Sequence, residues 1–505
     1  MSMDSGEAPR REAREAWQAI ERFLKASREP FLQEAGEDNL PLRGDNHVIE
    51  WQGSRLVLQA WDQKRNLVRR ITAVGAERPG RLDVITEKFG KRPGTLTFFD
   101  AGRPANQFLG KRAVRLAFRE HFRRFLRRRF TDWKLSELTT EQDLEHSLSP
   151  SYARAFLKKG QRGLAAIGCS AESNADGLLT FGLIWLDYLR QRERKLTIEG
   201  LLLYLPAGVE RNTCLRLRWL NPRSAAFEVS VFSEQGADDC VDLRDYGNTD
   251  THMEPCLSAE AVCPPDLTEL ARLISGIRDV TTLASKNGEL SFRIRGLEFA
   301  RIAGGRLQFG IETKQIGTAS NLREIERLVF EVARLRSRQA CDRSNPFYSR
   351  EPEAWLESQV RTHMEELEPS LLPNPVYGQV PAFAAGNRGV IDMLGVDRQG
   401  RLAVLEIKAE QDIHLPVQAL DYWIRVKWHL DRGEFSGQGY FPGIRLSAEA
   451  PRMLLIAPAL QFHPATESIL RYFSREIEIQ RLGLGPDWRG TPKVVFRAFG
   501  AQRPG

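Results

Sequence analysis

Residues 388–422 read RGVIDMLGVDRQGRLAVLEIKAEQDIHLPVQALDY, and this stretch constrains the fold more than any other part of the chain. Gly389 to Val396 is apolar except for Asp392. Asp397-Arg398-Gln399-Gly400 follows as turn chemistry, with a glycine free to take positive φ. Arg401 to Lys408 is a second apolar run, ending Glu406-Ile407-Lys408. Two such runs joined by a short polar turn predict a β-hairpin. Ala403, Val404, Leu405 and Ile407 make the second run apolar on both faces, which predicts a strand covered on both sides in an α/β core. Side chains alternate along a strand, so Glu406 and Lys408 share a face, and Asp392 joins them in the right register. Leu415 to Leu430 reads as a helix with Gln418 and Tyr422 on one face of it.

Two carboxylates converging at a strand end can hold a divalent metal. Mg²⁺ takes one or two carboxylates and completes its shell with water and phosphate oxygens. Asp392 and Glu406 are the candidate ligands. A metal so held polarises a phosphodiester and lowers the pKa of a bound water. Lys408 is placed to activate that water or to offset charge on the pentacovalent state. A solvated hairpin with ordinary surface charges would account for the turn. It would not account for a carboxylate between Ile391 and Met393, nor for Glu406 and Lys408 in an apolar strand, since such groups are rarely buried unpaired.

These motifs resemble those of the PD-(D/E)xK nuclease superfamily, in its RecB-like branch. Gly389-Val390-Ile391-Asp392 matches GxxD, Glu406-Ile407-Lys408 matches ExK, and Gln418-Ala419-Leu420-Asp421-Tyr422 matches QxxxY, in the family's order. The resemblance covers the last third of the chain. It implies an acid on the preceding helix, assigned to Glu357 in Trp355-Leu356-Glu357-Ser358, with Glu353 one turn earlier as its competitor. It implies Mg²⁺ or Mn²⁺ held by Asp392 and Glu406 with Glu357 at the edge of the shell, and Gln418 and Tyr422 orienting the metal site and the substrate backbone. It implies a restriction-endonuclease-like αβββαβ core and a metal-dependent nuclease, a phosphodiester hydrolase acting on DNA rather than RNA. The alternative is a catalytically silent member that serves as a nucleic-acid-binding or assembly module. The intact Asp392, Glu406 and Lys408 set argues against it.

With 505 residues the chain has room for two to four domains. Its 42% hydrophobic and 28% charged content is that of a soluble globular protein, which excludes a disordered chain. The net charge of +7 suits a polyanionic partner. MSMDSGEAPRREAREAW has no apolar core of a signal peptide, and Leu178 to Leu189 is too short to span a bilayer, so no membrane and a cytoplasmic location are expected. The six cysteines form no CxxC pair, and reduced thiols are expected rather than a zinc site at Cys240, His252, Cys256 and Cys263.

The expected organisation is α/β and α+β multidomain. Residues 1–137 hold an N-terminal helix (Ala13, Trp17, Ile20 and Phe23 at helical spacing), a small β-rich module between His47 and Asp100, and a basic helix. In FLGKRAVRLAFREHFRRFLRRRFTDWK, Phe118, Phe122, Phe125 and Leu126 make one face. Arg115, Arg119, Arg123 and Arg127 lie around to another and form a footprint for phosphates. Pairing with acids inside the protein, or a membrane or acidic protein partner, are the competing readings. Residues 138–338 read as a mixed α/β region of unknown function. In it TTEQDLEHSL reads as a helix start, Leu178 to Arg190 as a buried helix, and LTIEGLLLYLP, CLRLRWLN and AFEVSVF as strands. A degenerate copy of the nuclease fold, without an ExK, would fit this region. Residues 339–350 read as a linker, and 351–505, long enough for its own core, as the nuclease-like domain in the order α-β-β-β-α-β. The expected partner is nucleic acid, with a homodimer left open.

Overall fold

The computed structural model describes residues 7–27, 30–34, 40–43, 46–53, 55–61, 66–78, 81–88, 92–100, 107–233, 238–243, 251–256, 263–285, 288–337, 339–340, 343–384 and 387–502. The chain forms two compact units, Met1–Arg124 and Phe125–Gly505. The boundaries expected at 138, 339 and 351 do not coincide with these units. The architecture is mixed α/β and multidomain.

In the first unit, helix α1 (Glu7–Ala26) packs on a seven-stranded antiparallel sheet. Its strands are β1 (Pro30–Glu34), β2 (Leu40–Pro41), β3 (His47–Gln52), β4 (Arg55–Trp61), β5 (Asn66–Arg78), β6 (Arg81–Lys88) and β7 (Arg92–Asp100), in the order β2-β1-β7-β6-β5-β4-β3. Alternation places Leu56, Leu58 and Ala60 of β4 inward, against Ala16, Ile20 and Phe23 of α1. Arg69 and Arg70 are held within this unit, each 2.6 Å from a carboxylate oxygen, of Glu34 and Glu87. Helix α2 (Gln107–Arg129) runs across the boundary between the units.

The second unit contains three sheets. The first comprises β8 (Lys134–Thr139), β9 (Tyr152–Lys159), β10 (Arg162–Cys169), β11 (Thr197–Pro206), β12 (Ala226–Phe232) and β13 (Asp238–Cys240), side by side in chain order. Helix α3 (Leu178–Arg192) connects β10 to β11, and α4 (Arg211–Leu217) connects β11 to β12. The second sheet is a meander of β14 (Val280–Ser285), β15 (Glu289–Ile294), β16 (Leu297–Ala303), β17 (Arg306–Phe309) and β18 (Gln315–Gly317), packed with α5 (Thr268–Ser275) and α6 (Leu322–Leu335). The remaining elements are α7 (Pro346–Ser349), α8 (Pro352–Thr362), α9 (Met364–Leu367), β19 (Tyr377–Ala384), β20 (Asn387–Val396), β21 (Leu402–Ile407), α10 (Leu415–Asp431), α11 (Glu434–Gly437), β22 (Arg452–Pro458), α12 (Ala465–Leu470), β23 (Ile479–Leu484) and β24 (Val494–Phe499). Strands β19 to β24 again lie side by side in chain order.

The first and third sheets share one core. Ile167, Leu201, Leu203 and Trp185 pack in the same cluster as Leu420, Trp423, Leu455 and Ile469. Helix α10 buries Val417, Ala419, Leu420, Trp423, Ile424 and Val426, which is what a helix between two layers must do. Residues 351–505 are therefore continuous in packing with the middle region.

Two local expectations are corrected. TTEQDLEHSL forms a turn closed by Asp143 and Leu148 rather than a helix, and the Asp143 carboxylate accepts the His146 N–H at 3.0 Å. Such local side-chain bonds compete with helix formation. CLRLRWLN lies in and just beyond α4, not in a strand. The 339–350 segment contains α7, and its backbone is clamped by Arg336, whose Nη1 donates to the carbonyls of Phe347 (2.7 Å) and Arg350 (2.5 Å). Arg295 likewise donates to the Ala333 carbonyl at 2.7 Å.

Candidate active site

The hairpin forms as expected, from β20 and β21. Met393 stands opposite Leu405, so Asp392 and Glu406 occupy the next facing positions. The Asp392 Oδ2 accepts the Ile407 N–H at 2.9 Å. Lys408 lies just beyond β21, where its N–H donates to the Ile456 carbonyl at 3.0 Å and keeps it beside β22. Its Nζ lies 3.2 Å from Glu406 Oε1. Asp392, Glu406 and Lys408 are thus brought together by one hairpin and its parallel neighbour.

Glu406 is 1% exposed, and its Oε2 has no hydrogen-bond partner among the described residues. Burying a carboxylate without full compensation is costly, and such a group shifts its pKa. Burial pushes Glu406 well above the usual carboxylate range, aided by Asp392 and opposed by Lys408. Burial also raises Asp392, with Lys408 and the Ile407 N–H pulling down and Glu357 pushing up. Burial works against the charge of Lys408, but Glu406, Glu353, Asp392 and Asp412 together raise its pKa. Lys408 is therefore a cation at neutral pH, facing carboxylates that are themselves hard to ionise.

Gln418 and Tyr422 follow on α10. Gln418 carries a buried Oε1 with no hydrogen-bond partner among the described residues. Burial, Glu406 and Asp392 push the Tyr422 hydroxyl up to about 12, so it is a proton donor at any ordinary pH. The two candidate helix acids are separated by the structure. Glu353 Oε2 lies 3.9 Å from Lys408 Nζ. Glu357 is buried and pairs with Arg361 at 2.9 Å, while still close enough to raise Asp392.

Among the described residues no group of three or more His, Cys, Asp or Glu side chains is arranged to hold a metal. The pair Asp392 and Glu406, with water and substrate oxygens, is the ligand set available for a hard cation. The residues fit such a group: a cation beside the pair would meet the orphaned Glu406 oxygen and favour the ionised form of both acids.

The basic helix has its apolar face where expected, with Phe118, Phe122, Phe125 and Leu126 buried and Phe125 stacked on Tyr204 at 4.1 Å. Arg119 and Arg123 share Glu120, at 3.4 and 3.1 Å. Arg115 is half-buried and Arg127 is exposed. Arg128 pairs with Asp238 and Arg129 with Glu228 of the first six-stranded sheet. No helix among the described residues is long and apolar enough to cross a membrane.

Sequence reasoning missed Arg216, which reaches from α4 to Asp421, the residue between Gln418 and Tyr422 in the QxxxY motif that directly precedes the tyrosine. Nothing local in CLRLRWLN marks it. Compared with known proteins, the chain matches no family model and no curated protein.

Proposed function

We propose that the Phe125–Gly505 unit is a metal-dependent phosphodiesterase of the PD-(D/E)xK, RecB-like kind, acting on nucleic acid and, by the habit of that family, on DNA. The observation that carries this reading is Glu406, buried to 1% exposure opposite Asp392, bridged to Lys408 and left with an unpartnered oxygen. A structural acid in that position would have its lone pairs met. Apart from the one-turn helices α9 and α11, the element order α8-β19-β20-β21-α10-β22 supports the same reading.

Asp392 and Glu406 would hold Mg²⁺ or Mn²⁺, which supplies charge stabilisation and a water of lowered pKa. Lys408, held protonated by its acidic neighbours, favours the role of offsetting charge on the phosphorus-bound oxygens over that of a base. Tyr422, protonated, would be available to donate a hydrogen bond to the substrate, and Gln418, one turn earlier on α10, would help to orient it. Glu353 balances Lys408, and Glu357 acts on Asp392 through its field. The exposed face of α2 would add backbone contacts that read no bases.

The test is incubation of the purified chain with single-stranded, duplex and branched DNA, with Mg²⁺, Mn²⁺ or chelator. Cleavage should require metal. Asp392→Ala and Lys408→Ala should each lower its rate on the order of 10²-fold or more while DNA binding persists. Undiminished cleavage by either folded variant would remove this hairpin from the chemistry.

A further inference from the structure

The two six-stranded sheets of the second unit are built alike. Strands β8 to β13 pair antiparallel, antiparallel, parallel, parallel, antiparallel, and β19 to β24 pair in the same sequence. Each sheet is preceded by a helix, α2 or α8, and has a long helix before its fourth strand, α3 or α10, and a short one before its fifth, α4 or α12. Random convergence on an order of this length, with every polarity matched, is far less economical than a repeat of one fold.

The two halves meet through equivalent parts. Leu220, just after α4, forms a bridge with Phe473, just after α12. The bonds around it are reciprocal: Asn221 N–H donates to the Tyr472 carbonyl at 2.7 Å, and Ser474 N–H to the Trp219 carbonyl at 2.8 Å. Leu186-Asp187-Tyr188 on α3 matches Leu420-Asp421-Tyr422 on α10. Asp421 is met by Arg216 from the other half, and Asp187 by Ser468 (2.7 Å) and Arg471 (3.5 Å) from the other half. Thr180 and His414 stand at the same sequence offset as these aspartates and touch each other, 3.1 Å apart. This is the exchange of contacts that a two-fold axis produces, residue i meeting j and j meeting i.

The repeat allows the two hairpins to be compared position by position. Leu203 and Leu455 stand three residues before the prolines that end β11 and β22, Pro206 and Pro458. Opposite Leu203 is Ile167, and opposite Leu455 is Glu406. The neighbour of Ile167 on β9 is Arg154, at the place of Asp392. Two residues on, Cys169 stands at the place of Lys408. Arg154 is buried and donates to the carbonyls of Ser149 (2.7 Å) and Glu141, and Ile167 and Cys169 are fully buried in the core. A guanidinium and an isoleucine cannot ligate a cation.

We infer that the second unit is an intramolecular pair of one fold in which, among the described residues, only the β19–β24 half can hold metal, so that a nucleic-acid duplex engaged by one chain is broken in one strand. The inference rests on the proposed hydrolysis for its product but not for its metal content. Hydrolysis at one centre consumes one water. The water oxygen bonds to phosphorus, one bond from phosphorus to a sugar oxygen breaks, and the leaving oxygen takes up a proton. A second strand would need a second centre or a second encounter. The silent half is kept as the packing partner of α10, through the Arg216–Asp421 pair and the shared core.

Two measurements test this on the full chain. Mn²⁺ titration followed by electron paramagnetic resonance should show saturable binding that Asp392→Asn with Glu406→Gln removes entirely, and that Cys169→Ser leaves unchanged. Binding that survives the double substitution would place metal elsewhere and overturn the inference, as would no binding at all. Supercoiled plasmid, in excess over the chain and with Mn²⁺, should pass to the open circle, with linear DNA appearing only after open circles accumulate. Linear product formed from the first turnovers would overturn the single-centre inference while upholding the hydrolysis. No cleavage beside metal binding confined to Asp392 and Glu406 would overturn the hydrolysis and the single-strand product together, and would leave the metal-competent half as the part of the inference upheld.

Discussion

Arg216 and Asp421 meet across the two halves of the second unit, with Nε and Nη2 of the arginine each 2.7 Å from a carboxylate oxygen. Arg216 is buried, and its Nη1 also donates to the Asp176 carbonyl at 2.8 Å. The pair fixes the turn of α10 that carries Tyr422. Removing one partner of a buried pair leaves the other uncompensated, at a cost of about 3–5 kcal/mol. Arg216→Met should therefore lower the urea midpoint strongly and depress cleavage. Arg216→Met with Asp421→Leu should recover much of the stability by removing both charges. A single variant as stable as the parent would show that the pair does not hold α10.

The pH dependence of stability follows from the raised carboxylates. Asp392 and Glu406 have folded-state values above 3.8 and 4.5, their ordinary ones. The folded state then binds more protons than the unfolded state, so stability is fully present below about 4 and is lost as pH rises through the shifted values. Metal-free protein should melt lower at pH 8 than at pH 5 on account of these groups. Glu406→Gln, with no carboxylate to ionise at this position, should show a shallower slope between pH 5 and pH 8. Mn²⁺ should flatten the parent's slope, because it favours the ionised pair. Thermal melts of both proteins across this range, with and without metal, check all three outcomes. An unchanged slope in Glu406→Gln would mean that Glu406 ionises as readily as in the unfolded chain.

Much of this site was legible because it is local. Alternation within β20 and β21 and the turn at Asp397–Gly400 suffice to face Asp392 toward Glu406, and neither depends on the rest of the chain. The strand reading of CLRLRWLN fails through contact with a distant residue, whereas TTEQDLEHSL is turned locally by the bond between Asp143 and His146. In CLRLRWLN the alternation of Leu215 and Leu217 with Arg216 and Arg218 mimics a strand, yet Arg216 is buried against Asp421 and the segment is helical. In QACDRSNPFYSR polar composition suggests a linker, but the partner of its carbonyls, Arg336, lies outside the segment. One signal was present in the sequence and bears on the domain boundary. Helix α10 carries Leu415, Val417, Ala419, Leu420, Trp423, Ile424, Val426 and Leu430, an apolar arc wider than the stripe of a helix packed against a single layer.

That packing sets the outcome of truncation. A fragment of residues 351–505 would uncover the side of α10 that meets the other half, including Trp423, which contacts Trp219 with ring centroids 4.5 Å apart. Exposing each such large side chain forfeits roughly 1.5–3 kcal/mol. The fragment should aggregate or self-associate when expressed alone, whereas residues 125–505 should be monodisperse and melt cooperatively. Light scattering and calorimetry on the two fragments distinguish the cases. A monomeric, cooperatively folded 351–505 fragment would show that the shared core contributes little.

The basic helix can be divided by what its arginines already hold. Arg128 and Arg129 reach Asp238 and Glu228, so they belong to the fold of the second unit. Arg127 is exposed, and Arg119 and Arg123 share a single Glu120, which leaves more positive than negative charge at that place. Replacing Arg115, Arg119, Arg123 and Arg127 with Gln keeps length and helix propensity, so circular dichroism should be unchanged. If these residues contact phosphates, DNA binding should weaken alike for unrelated sequences. The slope of log K against log salt should flatten by up to about 0.9 per lost contact on duplex and about 0.7 on single strands. Arg127→Gln alone should give a measurable part of that change, since it makes no ion pair among the described residues that must break before it reaches a phosphate. Arg128→Gln with Arg129→Gln should instead leave the slope as it was, with at most a small fall in melting temperature, because both arginines are solvent-exposed. A parental slope in the folded quadruple variant would assign these arginines to pairing within the protein and move the nucleic-acid path to another surface.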